Sequence, residues 1–405
     1  MNPQIATAGN SGPKVRSDCE MTLGLTSSGG IEITLNSRVK TLYGRSITEQ
    51  CRDLLNKAGI ENAKLLINDS GALPFVLSAR LEAVVRKAWK ADFEYLPEIL
   101  PANLYPGEKE RYRFSRLYLP GNTPSMMLNA ALHSPDGIIL DLEDSVAPEK
   151  KDEARILVRN ALRQLDFGGA ERMVRINQGK RGLEDLAFII PQNVNLILLP
   201  KCETASEIRA VADEIAILRK SHKIENNVWL MPIIETALGV ENAFDIAVSS
   251  PDIVAMAIGL EDLTADLGVP RTSAGNESFY ARTRIVNAAK AARIQPIDSV
   301  FSDVADMEAL ELNVKTSKSL GFEGMGCIHP RQIAVIKKGF APDETEIDKS
   351  KKIVLAFEEA SRLGLGVVAL GSKMIDPPVV ARAQKTINLA VKLGLLRPDW
   401  ISESI

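Results

Sequence analysis

GIILDLED, at residues 137–144, is the segment on which the fold turns. Five residues of strand character end in the acids Asp141, Glu143 and Asp144, and EKKDEARILVRNALRQL at 149–165 follows with its apolar residues at helical spacing. The same grammar recurs upstream in RLYLPG (116–121). Downstream it recurs in RMVRIN (172–177), LILLPKCE (196–203), VWLMPIIE (228–235), IVAMAIGLEDL (253–263), PIDSVF (296–301) and GMGCIHP (324–330). Most of these runs lead into a helical pattern, such as TASEIRAVADEIAILRKS at 204–221. Eight strand–helix units of this length fit one (β/α)8 TIM barrel, which takes ~250 residues, better than a doubly wound sheet. Extra C-terminal helices are expected at 345–364 and 377–394, with the loop VVALGSKMIDPP (367–378) between them.

Working back toward the N-terminus, the chain changes character near residue 100. MTLGLTSSGGIEITL (21–35) reads as two strands around a Ser-Ser-Gly-Gly hairpin turn, and AKLLIND (63–69) as another strand. SITEQCRDLLNKAG (46–59) reads as a helix with Ser46 and Glu49 at capping-box spacing, and PFVLSARLEAVVRKAWK (74–90) as a second helix entered through Pro74. The proline-rich segment YLPEILPANLYPGEKE (95–110) reads as a linker. The expected organisation is a small α+β domain at 1–98, a linker at 99–112, a barrel at 113–342 and a helical extension at 343–405.

Composition bounds the partners. Among 405 residues, 49 Lys and Arg against 52 Asp and Glu leave a formal charge of −3, which excludes a strongly basic nucleic-acid footprint and a polybasic membrane arm. No apolar run approaches the ~18 residues of a membrane span. The first residues lack the apolar core of a signal peptide, and Cys19, Cys51, Cys202 and Cys327 lack C-x-x-C spacing, so a cytoplasmic protein with free thiols is expected. Neither G-x-G-x-x-G nor a Walker A pattern occurs, which argues against nucleotide chemistry.

Barrel enzymes take their catalytic groups from the C-terminal ends of the strands. Here those ends carry Asp141, Glu143, Asp144, Arg175, Asn177, Lys201, Glu203, Glu235, Glu261, Asp262, Asp298 and His329. Any one of them reads equally as a helix cap or a solvated turn residue, but the set together predicts a polar mouth. Glu235 and Asp262, on successive strands, are suited to a hard cation whose remaining positions go to water and substrate, or else to capping the helices that follow. Arg175 sits inside an apolar strand. It therefore either pairs with Asp141 or Glu143, or faces a cavity where a planar guanidinium meets a carboxylate or developing enolate. His329, before a proline, reads first as a structural hydrogen-bonder.

From about Arg113 to Gly394 the chain resembles the citrate lyase β subunit and its relatives in the HpcH/HpaI aldolase/citrate lyase superfamily. The resemblance rests on LYLPGN, GIILDLEDSVAPEKKDEAR, MVRIN, LPK, IIETALGVENAFDIA, IGLEDLTADLG, FYARTRIV, IDSVFSD, CIHPRQI and GSKMIDPPVVARA. Residues ~15–90 resemble the acyl carrier protein (γ subunit) of citrate lyase, through SDCEMTL, LNSRVKTLYGRSI and DSGALPFVLSARLEA. The resemblance implies a carrier fused to a lyase. It puts metal ligands on Glu235 and Asp262, the substrate-gripping arginine on Arg175, and on Asp376 a catalytic acid that is often delivered to a neighbouring subunit. It also implies Mg²⁺-dependent cleavage of a citryl thioester to an acetyl thioester and oxaloacetate, or of a citramalyl or malyl thioester to pyruvate or glyoxylate. In the last case the N-terminal domain serves as a docking module. A homo-oligomer, trimeric by resemblance, and a transferase α subunit are the implied partners.

A phosphoribosyl-dephospho-CoA arm is implied on Ser17 in VRSDCE, with Ser11 as the second choice. Three positions depart from the family patterns. Ser17 abuts Asp18, where carriers place one residue between serine and acid. Pro74 and Phe75 stand where carriers have an acid and a small residue. Met325 stands where the lyases carry a lysine that would contact a CoA or carrier phosphate.

Overall fold

The computed structural model describes residues 5–364, 367–370 and 373–401. They form two compact units, one of Met1–Ala305 with Ser319–Ile333 and one of Asp306–Lys318 with Ala334–Ile405.

The first unit opens with strands β1 (Ile5–Gly9), β2 (Cys19–Leu25) and β3 (Ile31–Ser37), helix α1 (Lys40–Lys57), strand β4 (Ala63–Asp69) and helix α2 (Pro74–Ala88). The strands form one sheet in the order β1-β2-β4-β3. The expected hairpin between β2 and β3 does not form: β4 lies between them, antiparallel to β2 and parallel to β3. In β4 the residues Ala63, Leu65 and Ile67 are buried in alternation, and a central position lets it pair over its full length on both sides. The capping box at Ser46 and Glu49 does not form either, because α1 begins about two turns earlier, capped at Val39. Ser37 sets that start: its hydroxyl accepts the Val39 N–H (3.0 Å) and donates to Asp69 (2.6 Å). Asp69 also accepts the N–H groups of Gly71 and Ala72, shaping the turn that delivers Pro74 to the first position of α2.

The eight expected barrel strands are all present: β5 (Ser115–Pro120), β6 (Gly137–Asp141), β7 (Glu171–Arg175), β8 (Leu196–Leu199), β9 (Trp229–Ile234), β10 (Ala255–Ile258), β11 (Gln295–Ile297) and β12 (Met325–Cys327). They are parallel in the order β11-β10-β9-β8-β7-β6-β5-β12, and a bridge between Asp298 and Met325 joins the ends of the sheet into a barrel. Alternate residues fill its interior, among them Ile139, Met173, Leu198, Met231, Ile233 and Ala257.

The helix Lys151–Gln164, which follows β6, is buried on two sides, with Glu153, Arg155 and Arg159 as enclosed as its leucines. A barrel helix normally presents such residues to water. Here α2 covers Arg159 and Glu153, while Arg155 pairs with Asp185 of the neighbouring helix Gly179–Ile189 (2.7 Å). Arg159 forms a two-pronged pair with Glu82 of α2 (2.9 and 2.6 Å) and also bonds Glu94 and the Tyr95 carbonyl. Glu153 accepts the Gly9 N–H and pairs with Lys87 and Lys150. The N-terminal sheet and the barrel thus share a buried ionic seam within one compact body.

The second unit contains the two expected C-terminal helices, Glu344–Arg362 and Pro377–Lys392, around Ile353, Val354, Ala383, Ile387 and Trp400. The expected loop between them contains short antiparallel strands, Val368–Leu370 with Lys373–Ile375. Asp376 caps the second helix, accepting the Val379 N–H at 3.1 Å. Among the described residues no helix is long and apolar enough to cross a membrane.

Candidate active site

The mouth of the barrel holds a cavity of about 720 Å³, lined by Asp141 and Arg175 at the ends of β6 and β7, Glu235 just after β9 and Asp262 in the helix after β10. Register explains the grouping, since Pro120, Asp141 and Arg175 are aligned across β5, β6 and β7. Arg175 gives Nε and Nη2 to the two oxygens of Asp141 (2.6 and 2.8 Å) and turns Nη1 to Glu143 (3.2 Å). Both readings of Arg175 therefore meet in the structure: it is ion-paired, and it lines the cavity. Burial alone would raise the Asp141 carboxyl, but the hydrogen bonds and charge of Arg175 outweigh it and hold Asp141 below the usual aspartate range. Arg175 is in turn held above the ordinary arginine value, its carboxylate partners overcoming burial.

Glu235 is buried at the end of β9 and accepts the Lys201 backbone N–H at 2.7 Å. Its second oxygen occupies the space that a Cβ on Gly259 would fill, at 2.3 Å, so glycine at 259 makes room for this carboxylate. Burial, then the charge of Asp262, push Glu235 up to about 7, with the Lys201 N–H acting the other way. Asp262 lies in the first turn of the helix Leu260–Asp266, partly exposed, 3.6 Å from the Lys201 ammonium. Lys201 stands in the left-handed region (φ 50°) and also reaches Glu143 (3.2 Å) and Asp144 (3.3 Å). Glu235 and Asp262 thus face each other with too little positive charge between them, which suits a divalent cation. These two are the residues that could hold such an ion, with water and substrate completing its shell; among the described residues no group of three or more His, Cys, Asp or Glu converges.

His329 borders the cavity, but its Nδ1 accepts the Arg331 N–H (3.2 Å) at the start of the next helix, the structural role expected of it. Asp298 is buried against Arg282. Met325 is fully buried in β12. Asp376 lies in the second unit. Arg116 and Tyr118, both lining the cavity from β5, escaped the sequence reading. The signal was there for Arg116, an arginine in an apolar strand just as Arg175 is.

Ser17 adopts a left-handed backbone (φ 54°) and gives its N–H to the Ser70 carbonyl (3.0 Å). Its neighbour Asp18 is buried in a two-pronged pair with Arg80 of α2 (2.9 and 2.8 Å) and accepts from Asn10. Arg80 and Asn10 both reach the carbonyl of Asn122, two residues beyond the cavity-lining Pro120. Asp18, the neighbour of Ser17, is thus tied to the side of the N-terminal domain that meets the loop after β5, while Ser11 is exposed.

A closed parallel barrel whose mouth gathers a buried arginine and paired carboxylates defines an enzyme of the TIM-barrel class, built to handle small anionic ligands. Residues 115–330 match the HpcH/HpaI aldolase/citrate lyase family, and the chain belongs to that family. Residues 6–88 match an acyl carrier family described as the malonate decarboxylase delta subunit. The citrate lyase subunit beta of Leuconostoc mesenteroides subsp. cremoris is 38% identical over 288 residues, covering 69% of this chain and 94% of the relative. Human mitochondrial citramalyl-CoA lyase is 34% identical, covering 68% and 85%. The crystal structure of the protein CitE from Mycobacterium tuberculosis, in complex with magnesium, acetoacetate and coenzyme A, superposes with a TM-score of 0.57. It is 29% identical, covering 70% of this chain and 99% of that one.

Proposed function

We propose that this chain is a Mg²⁺-dependent carbon–carbon lyase that cleaves a citryl thioester to an acetyl thioester and oxaloacetate. The observation that carries the reading is Glu235, buried and raised toward neutrality beside Asp262, in the same cavity as Arg175. Glu235 and Asp262 hold Mg²⁺, which when bound supplies Lewis-acid polarisation of the keto-acid oxygen. Arg175, oriented by Asp141 and Glu143, grips the α-carboxylate beside that oxygen. During cleavage the hydroxyl gives its proton to water in the open mouth, the carbon–carbon bond breaks with its electron pair passing to the thioester enolate, and Asp376, from a neighbouring subunit, delivers a proton to the α-carbon, so that one proton is released and one taken up. Subunit sharing makes the active form a homo-oligomer, a trimer by family likeness.

The N-terminal domain carries the acyl group on a phosphoribosyl-dephospho-CoA arm at Ser17, and a separate transferase subunit loads it. The four buried, unpaired thiols fit a cytoplasmic location. Incubation with Mg²⁺ and citryl-CoA, citramalyl-CoA or malyl-CoA, with products resolved by mass, tests the assignment. Oxaloacetate as the preferred product supports it, whereas pyruvate or glyoxylate from the preferred substrate overturns it in favour of the citramalyl or malyl reaction.

A further inference from the structure

The buried arginines of the first unit are matched to acceptors with one exception. Arg80 has Asp18, Arg113 has Glu171, Arg159 has Glu82, Arg175 has Asp141 and Arg282 has Asp298. Arg172 bonds the carbonyls of Tyr105 and Asn193. Arg116 is 1% exposed, its Nε has no partner, and its Nη1 meets only the thioether sulfur of Met231, at 2.9 Å. Burial pulls its charge equilibrium below the ordinary arginine value, opposite to Arg175, because the carboxylate within its range, Glu171, is already paired with Arg113. A guanidinium enclosed in this way is strongly disfavoured unless something neutralises it.

Its position shows where that neutralisation comes from. Arg116 alternates along β5 with Tyr118 and Pro120, and all three line the cavity, so its side chain points into the lumen. Arg116 lies four residues before Pro120 on β5, and Met231 on β9 lies four before Glu235, so the guanidinium meets Met231 in the lumen below the mouth. The acids that line the cavity are already committed: Asp141 to Arg175, Asp144 to Lys201, Glu261 to Arg271, Asp298 to Arg282, and Glu235 and Asp262 to the cation of the proposed mechanism. The missing anion must therefore arrive with the ligand.

We propose that Arg116 is a specificity residue that binds the distal carboxylate of a four-carbon keto acid, and of the tertiary-alcohol thioester from which that acid is cleaved. The inference rests on the lyase reading above and sharpens it. Arg175 and the cation take the carboxylate and oxygen at the reacting carbon, and the remaining carboxymethyl group is received deeper in the barrel by the fork of Arg116. A substrate with methyl in place of carboxymethyl leaves that guanidinium unmatched, and the site rejects it.

The test compares kcat/KM for citryl-CoA and citramalyl-CoA, which differ only in that group, in wild type, Arg116→Met and Arg116→Lys. Calorimetric titration of each protein with oxaloacetate and with pyruvate, in Mg²⁺, accompanies it. Methionine suits a lumen already holding Met173 and Met231, and lysine keeps the charge without the fork. Arg116→Met is expected to lose about 100-fold or more on citryl-CoA and on oxaloacetate affinity, while citramalyl-CoA and pyruvate change by no more than a few fold. Arg116→Lys is expected to keep part of the discrimination. Equal losses on both substrates, or no loss on either, overturn the proposal. A wild type that releases pyruvate fastest, yet still loses its oxaloacetate preference on Arg116→Met, would reject the citryl assignment and leave the role of Arg116 standing.

Discussion

Removing Arg159 should unseat the N-terminal domain more effectively than any change to its apolar contacts. Both Arg159 and Glu82 are fully buried, joined by two short bonds, and the arginine spends its remaining donors on Glu94, Asn160 and the Tyr95 carbonyl. Arg159→Met leaves Glu82 enclosed with only Arg86 and the Tyr95 N–H to meet its charge. Breaking one side of such a pair costs about 3–5 kcal/mol. Replacing both partners, as Arg159→Met with Glu82→Leu, removes the stranded charge and should return stability to within about 1 kcal/mol of wild type. Urea unfolding of the four proteins of the cycle gives these differences, and hydrogen exchange of the β1–β4 amides reports whether the domain itself has come loose. A single-mutant loss below about 1 kcal/mol, or a cycle additive within about 0.5 kcal/mol, would refute the argument that this seam is electrostatically locked.

Three further outcomes follow from the site. Because Glu235 titrates at about 7, and the ion needs its carboxylate, Mn²⁺ or Mg²⁺ affinity should fall about tenfold per pH unit below that point and level off above it. Glu235→Gln should abolish both the binding and its pH dependence, and a flat profile in wild type would contradict the assignment. Asp376→Ala and Glu235→Ala should each be inactive alone, yet regain activity when co-assembled, since a shared site then has one intact copy. Failure to complement would place both residues in one subunit's site. Intact mass of protein from its native host should show the added prosthetic arm, lost in Ser17→Ala, and an unmodified but fully active enzyme would make the domain a docking module.

The barrel could be read in advance because each strand is a short apolar run with a polar end, a pattern that names both the element and the face its chemistry occupies. GIILDLED and VWLMPIIE are strands whose last residues stand in the cavity. The order of the N-terminal sheet was hidden, because alternation reports which face a residue takes and not which strand it pairs with, so β4 entering between β2 and β3 left no local trace. The start of α1 was misplaced for a related reason: it depends on Ser37 meeting Asp69, 32 residues away. The partners of buried charges were equally hidden. Arg80, Arg116 and Arg159 look alike in one dimension, yet two are paired across the seam or within their own domain and one waits in the lumen.

The locked seam also changes the kinetics that a tethered substrate would obey. With the domain held to the barrel through Glu82, Arg80 and Glu153, an acyl group carried at Ser17 explores a small volume around a stationary anchor. Its encounter with the mouth is then governed by tether length, at effective concentrations on the order of millimolar for a short flexible link, rather than by the pool of free thioesters. Such a site has no need of tight ground-state affinity for the thioester, because supply is guaranteed by geometry. On the proposed mechanism, Arg175 and Arg116 would then be free to act on the keto-acid half of the molecule, where the bond is broken.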